Sequence, residues 1–307
     1  MPPPLRAVLS AVLIALSALL APCGVTAAWA AYGLADTGRY VTAMAPLATD
    51  PAVREAVADT VGDGLLRAAD QHLDVPPVPG PVRPFVRDAV RSFTLTGAYR
   101  AAWDTGNQVT HDAVLDALRG ADDHDVTVDL APVTAQVKRR LTEEHMPLAE
   151  RIPVEHTALA VLPAGELTAL RKGFHVLEVA GFWLPVAAVV FAAGGIALAV
   201  RRRRAVTATA LGTALGGALL AGCLAVGRSL TLARLPADVR RPAAGAVYDA
   251  LTGTLRTAAW LLLGLGLTVA LTAWLSRRLR LTRPARRRPG SSAPAPTQPP
   301  APRRARV

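Results

Sequence analysis

The chain has 307 residues, of which 51% are hydrophobic, and a formal net charge of +11. A soluble basic protein of this size normally disperses its apolar residues, whereas here they lie in long uncharged blocks. Both cysteines, Cys23 and Cys223, lie inside such blocks, which excludes a disulfide framework for the rest of the chain. The composition therefore points to a membrane protein.

Four uncharged runs are long enough to cross a bilayer, which takes about 20 apolar residues in a helix. They predict four transmembrane helices, at Ala7–Ala35, Val179–Val200, Ala205–Gly227 and Thr257–Leu275. The first run is read either as an uncleaved anchor, which its length favours, or as a signal peptide cleaved near Ala28–Trp29–Ala30. Both alternatives place the following segment outside.

The distribution of charge predicts the orientation, because short cytoplasmic segments are enriched in Lys and Arg. Arg6, Arg201–Arg204 and the arginines after Leu275 together carry +15, whereas residues 36–178 carry −7 and residues 228–256 carry +3. We therefore expect both termini and the Arg201–Arg204 turn in the cytoplasm, at the cytoplasmic membrane. Four of the five tryptophans lie near span ends, as in interfacial belts, and Trp103 does not.

These boundaries divide the chain into four parts. They are residues 1–35, the N-terminus and first span; 36–178, an extracytoplasmic domain here named the loop domain; 179–276, three spans with a cytoplasmic turn at 201–204 and an outer link at 228–256; and 277–307, a basic cytoplasmic tail. The tail is rich in Pro and Arg and is predicted to be disordered.

In the loop domain, Asp50 and Pro51 form a helix start, and the spacing of apolar residues predicts a helix over Pro51–His72. A second helical stretch is expected from near Pro84 to Arg119, with Gly97 as a kink and Gly120 as its cap.

Two strands are predicted next, Val126–Leu130 and Thr157–Pro163. The helical segment between them has the length of a crossover, so the strands are expected to be parallel, in a small βαβ unit. A further helix is expected to run from Glu166 directly into the second span. The predicted fold class is thus a helical membrane protein with four transmembrane helices and a mostly helical α+β extracytoplasmic domain.

The stretch WDTGNQVTHD, Trp103–Asp112, combines residue types that are common in binding and catalytic sites. In a helix, Trp103, Asn107 and His111 lie on one stripe, since residues four apart share a face. The stripe could bind a ligand, hold a metal or join two elements. Because Tyr99, Val114 and Leu118 extend the same face, an internal structural role is the favoured interpretation.

The motifs of the sequence give no catalytic, cofactor or metal assignment. The six histidines lack metal-site spacing, and no nucleophile elbow or phosphate-binding loop occurs. Gly212 and Gly216 form a GxxxG in the third span, which suits packing within the chain or a homo-oligomer. The Arg277–Arg288 segment is expected to bind anionic lipid head groups rather than nucleic acid.

Several blocks resemble a family of actinobacterial integral membrane proteins. They are TGRYVTAMAPLATDPAVREAVAD, AAWDTGNQVTHDAVLDALRG, VTVDLAPV and LPADVRRPAAGAVYDALTGTLR, and the similar region covers about Thr37–Trp274. The resemblance implies one large extracytoplasmic loop and no assigned activity. Two functions remain open: a non-enzymatic structural, interaction or sensing component of the envelope, which is favoured, and an envelope enzyme or transport accessory acting on lipid or cell-wall precursors.

Overall fold

The computed structural model describes residues 2–72, 82–120, 126–144, 149–151, 154, 156, 158–162, 164–236 and 239–281. Within these residues the chain forms nine α-helices and two short strands. The helices are α1 Pro3–Trp29, α2 Thr37–Met44, α3 Pro51–His72, α4 Val82–Phe93, α5 Gly97–Arg119, α6 Ala131–Glu143, α7 Ala164–Leu198, α8 Arg202–Ala233 and α9 Arg241–Leu281; the strands are β1 Val126–Asp129 and β2 Ala158–Leu162.

In the part of the chain that the structure describes, four helices are long and apolar enough to span a membrane, which is compatible with the predicted multi-pass membrane protein. The candidate spans are Pro4–Leu34, Ala169–Leu198, Arg202–Ala233 and Arg241–Ser276. The predicted number of four is therefore confirmed, and each helix begins before the uncharged run that predicted it. The helix expected to run from Glu166 into the second span is also confirmed, because α7 is continuous from Ala164 to Leu198.

The bundle of long helices is held by close backbone approach and by buried hydroxyl groups. α1 packs along α7 and α8, and α8 packs along α9. Ser10 donates to the carbonyl of Gly195 at 2.6 Å, and Ser17 donates to the carbonyl of Ala188 at 2.8 Å. Because lipid tails give apolar side chains little reason to associate, such small and polar groups account for much of helix association in a bilayer.

The GxxxG glycines of the third span lie against α1 of the same chain. A Cβ on Gly212 would be 2.8 Å from the Cβ of Ala18, and one on Gly216 would be 3.1 Å from the Cδ of Pro22. These distances leave no room for a larger side chain. A homo-oligomer through this pair would first have to displace α1.

The helices of the loop domain begin where the sequence places capping groups. Asp50 accepts from the backbone N–H groups of Ala52 and Val53, and the predicted helix Pro51–His72 is confirmed as α3. The stretch predicted to be one kinked helix is two helices, because Thr96 accepts from the N–H of Tyr99 and starts α5 afresh. An N-capping threonine favours a new helix over a kink.

The predicted α+β class and βαβ unit are wrong. The described residues are overwhelmingly helical, and β1 and β2 form a two-stranded antiparallel pair in which Val128 lies opposite Leu159 and Asp129 opposite Ala158. A parallel unit needs its helix to cover the strands. Here α6 packs against α5 instead, and the segment 144–157 is long enough to bring the chain into β2 from the opposite end.

The predicted outer link 228–256 is largely helical and belongs to the core of the loop domain. α8 continues to Ala233 and α9 begins at Arg241, so only residues 234–240 connect them. The first turns of α9 pack on a buried cluster of Met44, Leu47 and Val53 through their apolar side chains: Ala243, Ala246, Val247, Ala250 and Leu251. The loop domain is thus built partly on an extension of the fourth long helix.

Candidate functional site

The site begins where the first long helix ends. α1 continues as a π-helical turn, Ala30–Leu34, and Asp36 then caps α2 by accepting from the N–H of Arg39 at 2.8 Å. This geometry lays α2 along α5, so that the side chains of α2 face the predicted stripe.

Trp103 lies at the contact between α5 and the buried cluster. Its indole N–H donates to the carbonyl of Met44 at 3.0 Å, and its ring packs against the cluster of Met44, Leu47 and Val53. The side chain is partly rather than fully buried. One part of Trp103 therefore joins two elements, and the remainder is available to line a surface.

Asn107 lies one turn further along α5, and its amide is used locally. Its Nδ2 donates to the carbonyl of Trp103 at 2.8 Å, and its Oδ1 accepts a long hydrogen bond, 3.5 Å, from the hydroxyl of Tyr40. Burial raises the pKa of Tyr40 above its usual value, since the phenolate would be poorly solvated there.

His111 connects α5 to the end of the first long helix. Its Nε2 lies 2.8 Å from the carbonyl oxygen of Leu34, and its ring stacks on Tyr40 with centroids 4.2 Å apart. A carbonyl only accepts, so Nε2 carries the hydrogen. The bond satisfies a carbonyl at a helix terminus, which has no partner within its own helix.

A hydroxyl, an imidazole and a carboxylate meet beside this junction, but their order does not suit nucleophilic catalysis. Thr37 Oγ1 lies 3.1 Å from His111 Nδ1 and donates to Asp112 Oδ1 at 2.6 Å. In a catalytic triad the histidine lies between hydroxyl and carboxylate. Here the hydroxyl lies in the middle and the other ring nitrogen is bound to backbone, so the histidine cannot pass a proton from the hydroxyl to the carboxylate side.

An apolar cleft opens beside the stripe, between α2, α3, α4 and α5. It has a volume of about 460 Å³, and none of its lining side chains carries a charge. The lining residues are Tyr40, Val57, Val61, Val90, Phe93, Thr94, Tyr99, Ala102, Trp103, Gly106, Asn107 and Thr110. Both its size and its apolar walls are typical of small-molecule sites.

Tyr99 is the exceptional residue of this cleft. Its side chain is 5% exposed, and its hydroxyl is buried with no hydrogen-bond partner in the part of the chain that the structure describes. Burial raises the pKa of Tyr99, and nearby Arg54 opposes this shift. Buried polar groups normally have partners. The Tyr99 oxygen is closed off from solvent in the cleft, so a ligand would bond it only after the wall of the cleft shifts.

The opposite face of α5 lines a polar groove of about 460 Å³ against α6. Burial raises the pKa of Asp104 there, whereas Arg100, Arg140 and Glu144 are exposed. Exposed charges of this kind are solvated and interact only weakly, so they are poorly suited to acid–base catalysis. The apolar cleft is therefore the better candidate site.

The histidines do not assemble a metal site among the described residues. His111 faces Thr37 and Leu34, and the exposed His156 bonds Asp129 at 2.6 Å. The pKa of Asp129 is lowered, first by the N–H of Ala131 and then by His156. Asp122, Asp123, His124 and Asp125, a weak cation candidate in the sequence, lie outside the described residues.

Sequence reasoning found the stripe but missed the residues that face it. Thr37 and Tyr40 come from α2, and the α9 segment that completes the cluster lay in a predicted link. The available signal was the helical spacing of apolar residues from Ala243 to Leu251, which continues into the fourth span.

Comparisons with known proteins add no relative: no protein-family model, no curated protein and no solved structure matches this chain. The resemblance to an actinobacterial membrane protein family therefore stays a prediction.

Proposed function

We propose that this chain is a non-enzymatic, multi-pass component of the cell envelope whose loop domain binds an amphiphilic, lipid-like molecule. Four helices would anchor it in the cytoplasmic membrane with both termini in the cytoplasm. The apolar cleft beside Trp103 would be the binding site. The binding proposal rests on one observation: the wall of an uncharged cleft includes Tyr99, whose hydroxyl is buried and has no partner among the described residues.

The lining of the cleft supports binding rather than turnover. Catalysis needs groups that move protons or stabilise developing charge, and the cleft walls hold no charged side chain. The nearest histidine, His111, donates from Nε2 to the carbonyl of Leu34, and its Nδ1 lies 3.1 Å from Thr37 Oγ1. The residues that could act as acid or base thus serve the joint between α5 and α2.

The same lining favours a small amphiphile as ligand. Valine and aromatic side chains suit a hydrocarbon chain, because burying apolar surface is favourable by about 25 cal/mol per Å². One polar group on the ligand would satisfy the hydroxyl of Tyr99. A folded partner protein typically buries about 800 Å² on each side, so it would need a surface that extends well beyond the lining of this cleft.

Photo-crosslinking tests the binding site directly. The full-length chain is placed in phospholipid nanodiscs with a diazirine-bearing palmitic acid, irradiated and digested. We expect labelled peptides from α3, α4 and α5, in addition to labelling of the long helices. Labelling restricted to the long helices would exclude the cleft as a site for this class of ligand.

Two matched variants show whether the label enters the cleft. Val61 lines it and is 44% exposed, so Val61→Trp should fill it without disturbing buried packing. Leu65 lies one turn later on α3, is 52% exposed and does not line the cleft. Val61→Trp should reduce labelling of α5 several-fold, whereas Leu65→Trp should leave it unchanged. An equal effect of both variants would contradict the proposal.

Reporter fusions test the orientation. A fusion at Asp123 should report the extracytoplasmic side and one at Pro296 the cytoplasmic side, because of the +15 carried by the three predicted inner segments. Reporters in the same compartment would overturn the topology while leaving the result of cross-linking unaffected.

A further inference from the structure

Two apolar grooves flank the N-terminal half of α8 at the end of the bundle where Arg201–Arg204 lie. One, between α8 and α9, has a volume of about 1080 Å³; the other, between α8 and α1, has about 650 Å³. Val200, Arg201, Arg204 and Ala208 line both grooves. The grooves therefore share one set of cationic side chains at their mouth.

The four arginines are exposed, and none has a carboxylate partner among the residues that the structure describes. Arginines elsewhere do pair: Arg87 with Asp63 at 2.7 Å, and Arg228 with Asp249 at 3.1 Å. The turn thus holds four adjacent positive charges that no carboxylate of the described residues compensates. Guanidinium groups bind phosphate oxygens in a bidentate manner, which makes phosphate a suitable counter-charge.

Below the arginines the grooves are lined by apolar and small side chains. From Arg204 to Leu211, along the groove with α9, α8 rises about 10 Å, and Leu211 is 53% exposed. Each groove thus has cationic side chains at its mouth and apolar side chains below them. A phospholipid has the matching arrangement, since its phosphate lies at one end and its acyl chains extend from it.

We propose that Arg201–Arg204 and the two grooves beside α8 form a binding site for an anionic phospholipid, with its phosphate at the arginines and its acyl chains on either side of the helix. The site is separate from the cleft of the loop domain. It depends only on the four long helices lying in a bilayer, so failure of the cross-linking experiment would not affect it.

Native mass spectrometry of the full-length chain in detergent, titrated with phosphatidylglycerol, cardiolipin or phosphatidylcholine, tests the site. The two anionic lipids should bind saturably, and phosphatidylcholine should bind much more weakly. The double variant Arg201→Gln with Arg204→Gln should lower the apparent affinity for anionic lipid by about 30-fold, from the contribution of each arginine near an anionic surface. Equal binding of phosphatidylcholine would overturn the proposal.

Two further variants separate a built site from general charge attraction. Arg100→Gln with Arg139→Gln removes the same charge from the exposed surface of the loop domain and should leave the affinity unchanged within about two-fold. A loss as large as that at Arg201 and Arg204 would mean non-specific attraction. Ala208→Leu changes no charge, lies on an exposed face and narrows both grooves. It should weaken binding several-fold, and an unchanged affinity would show that the acyl chains do not occupy the grooves.

Discussion

Removing one oxygen atom from Tyr99 should stabilise the unliganded protein and weaken ligand binding. A buried hydroxyl without a hydrogen bond costs about 1–3 kcal/mol, and Tyr99→Phe removes that cost. The ring contacts would remain, since Phe93 and Trp103 lie with ring centroids 6.1 and 6.2 Å from Tyr99. We expect the free energy of unfolding to rise by about 1 kcal/mol, which corresponds to roughly 2–4 °C in Tm for a domain of 150–250 residues.

The same substitution should act in the opposite direction on binding. A ligand that bonds the Tyr99 hydroxyl would lose one hydrogen bond, worth about 0.5–1.5 kcal/mol, so cross-linking at a limiting probe concentration should fall by about 2- to 10-fold. A combined gain in stability and loss of binding is typical of a functional group held at a cost to the fold.

Thermal melting of the full-length chain in detergent, followed by circular dichroism, measures the first effect. Tyr40→Phe is the matched control, because the Tyr40 hydroxyl lines the same cleft but donates to Asn107. Its removal should lower stability slightly, by about 0.5–1 kcal/mol. If Tyr99→Phe melts below the parent, its hydroxyl has a partner in the folded chain and the reasoning fails.

Three further predictions concern the same region. Trp103→Ala should destabilise the chain by about 3 kcal/mol, because packing is lost and the carbonyl of Met44 loses its donor. A Tm within one degree of the parent would show that the contact contributes little. His111→Ala should cost about 1–3 kcal/mol because it leaves the Leu34 carbonyl without its donor; amide exchange that is no faster in α2 and at the end of α1 would contradict this. Because burial raises the pKa of Tyr40 and of Tyr99, the folded state holds their protons more tightly than the unfolded state. Their contribution is therefore complete below a pH of about 10 and lost as pH rises through the raised values, so Tm should fall more steeply above pH 10 in the parent than in the Tyr40→Phe, Tyr99→Phe double variant.

The sequence carried enough information to predict most of the helices. Uncharged runs predicted the four long helices, and Asp50-Pro51 predicted the start of α3, because both signals are local. The pairing of β1 with β2 was predicted wrongly, since direction depends on where α6 packs. The number of residues between the strands shows that a crossover connection is possible. It does not show that α6 packs on α5 rather than on the strands.

The candidate site was predicted only in part for a similar reason. Helical periodicity brought Trp103, Asn107 and His111 onto one face, and the structure gives each of them a partner outside α5: Met44, Tyr40 and Leu34. The cleft itself needs Val61 and Val90 from two other helices, and the orphaned hydroxyl of Tyr99 is a property of three-dimensional packing. No local pattern in the sequence reports the absence of a hydrogen-bond partner.

The net charge of the outer link is a weaker topology signal in the folded chain than in the sequence, because some of its arginines pair with carboxylates. Residues 228–256 carry +3, which opposes the proposed orientation if the link is counted alone. In the structure Arg228 and Arg256 both face Asp249, at 3.1 and 3.6 Å. Arg240 reaches the loop domain, where it pairs with Asp59 and lies 3.3 Å from Glu55.

The ion pairs of Arg240 join the link to the loop domain, whereas those of Arg228 and Arg256 lie within the link itself. The charges of the link and the loop domain, +3 and −7, combine to −4 on the side proposed to be extracytoplasmic, against +15 in the three segments proposed to be cytoplasmic. Three of the five arginines of the link, Arg228, Arg240 and Arg256, face carboxylates. Arg201–Arg204 have no such partner among the described residues. The difference between the two sides that supports the proposed topology therefore lies in the pairing of the arginines as well as in their number. Arg201–Arg204, which have no carboxylate partner among the described residues, lie beside the two grooves of α8.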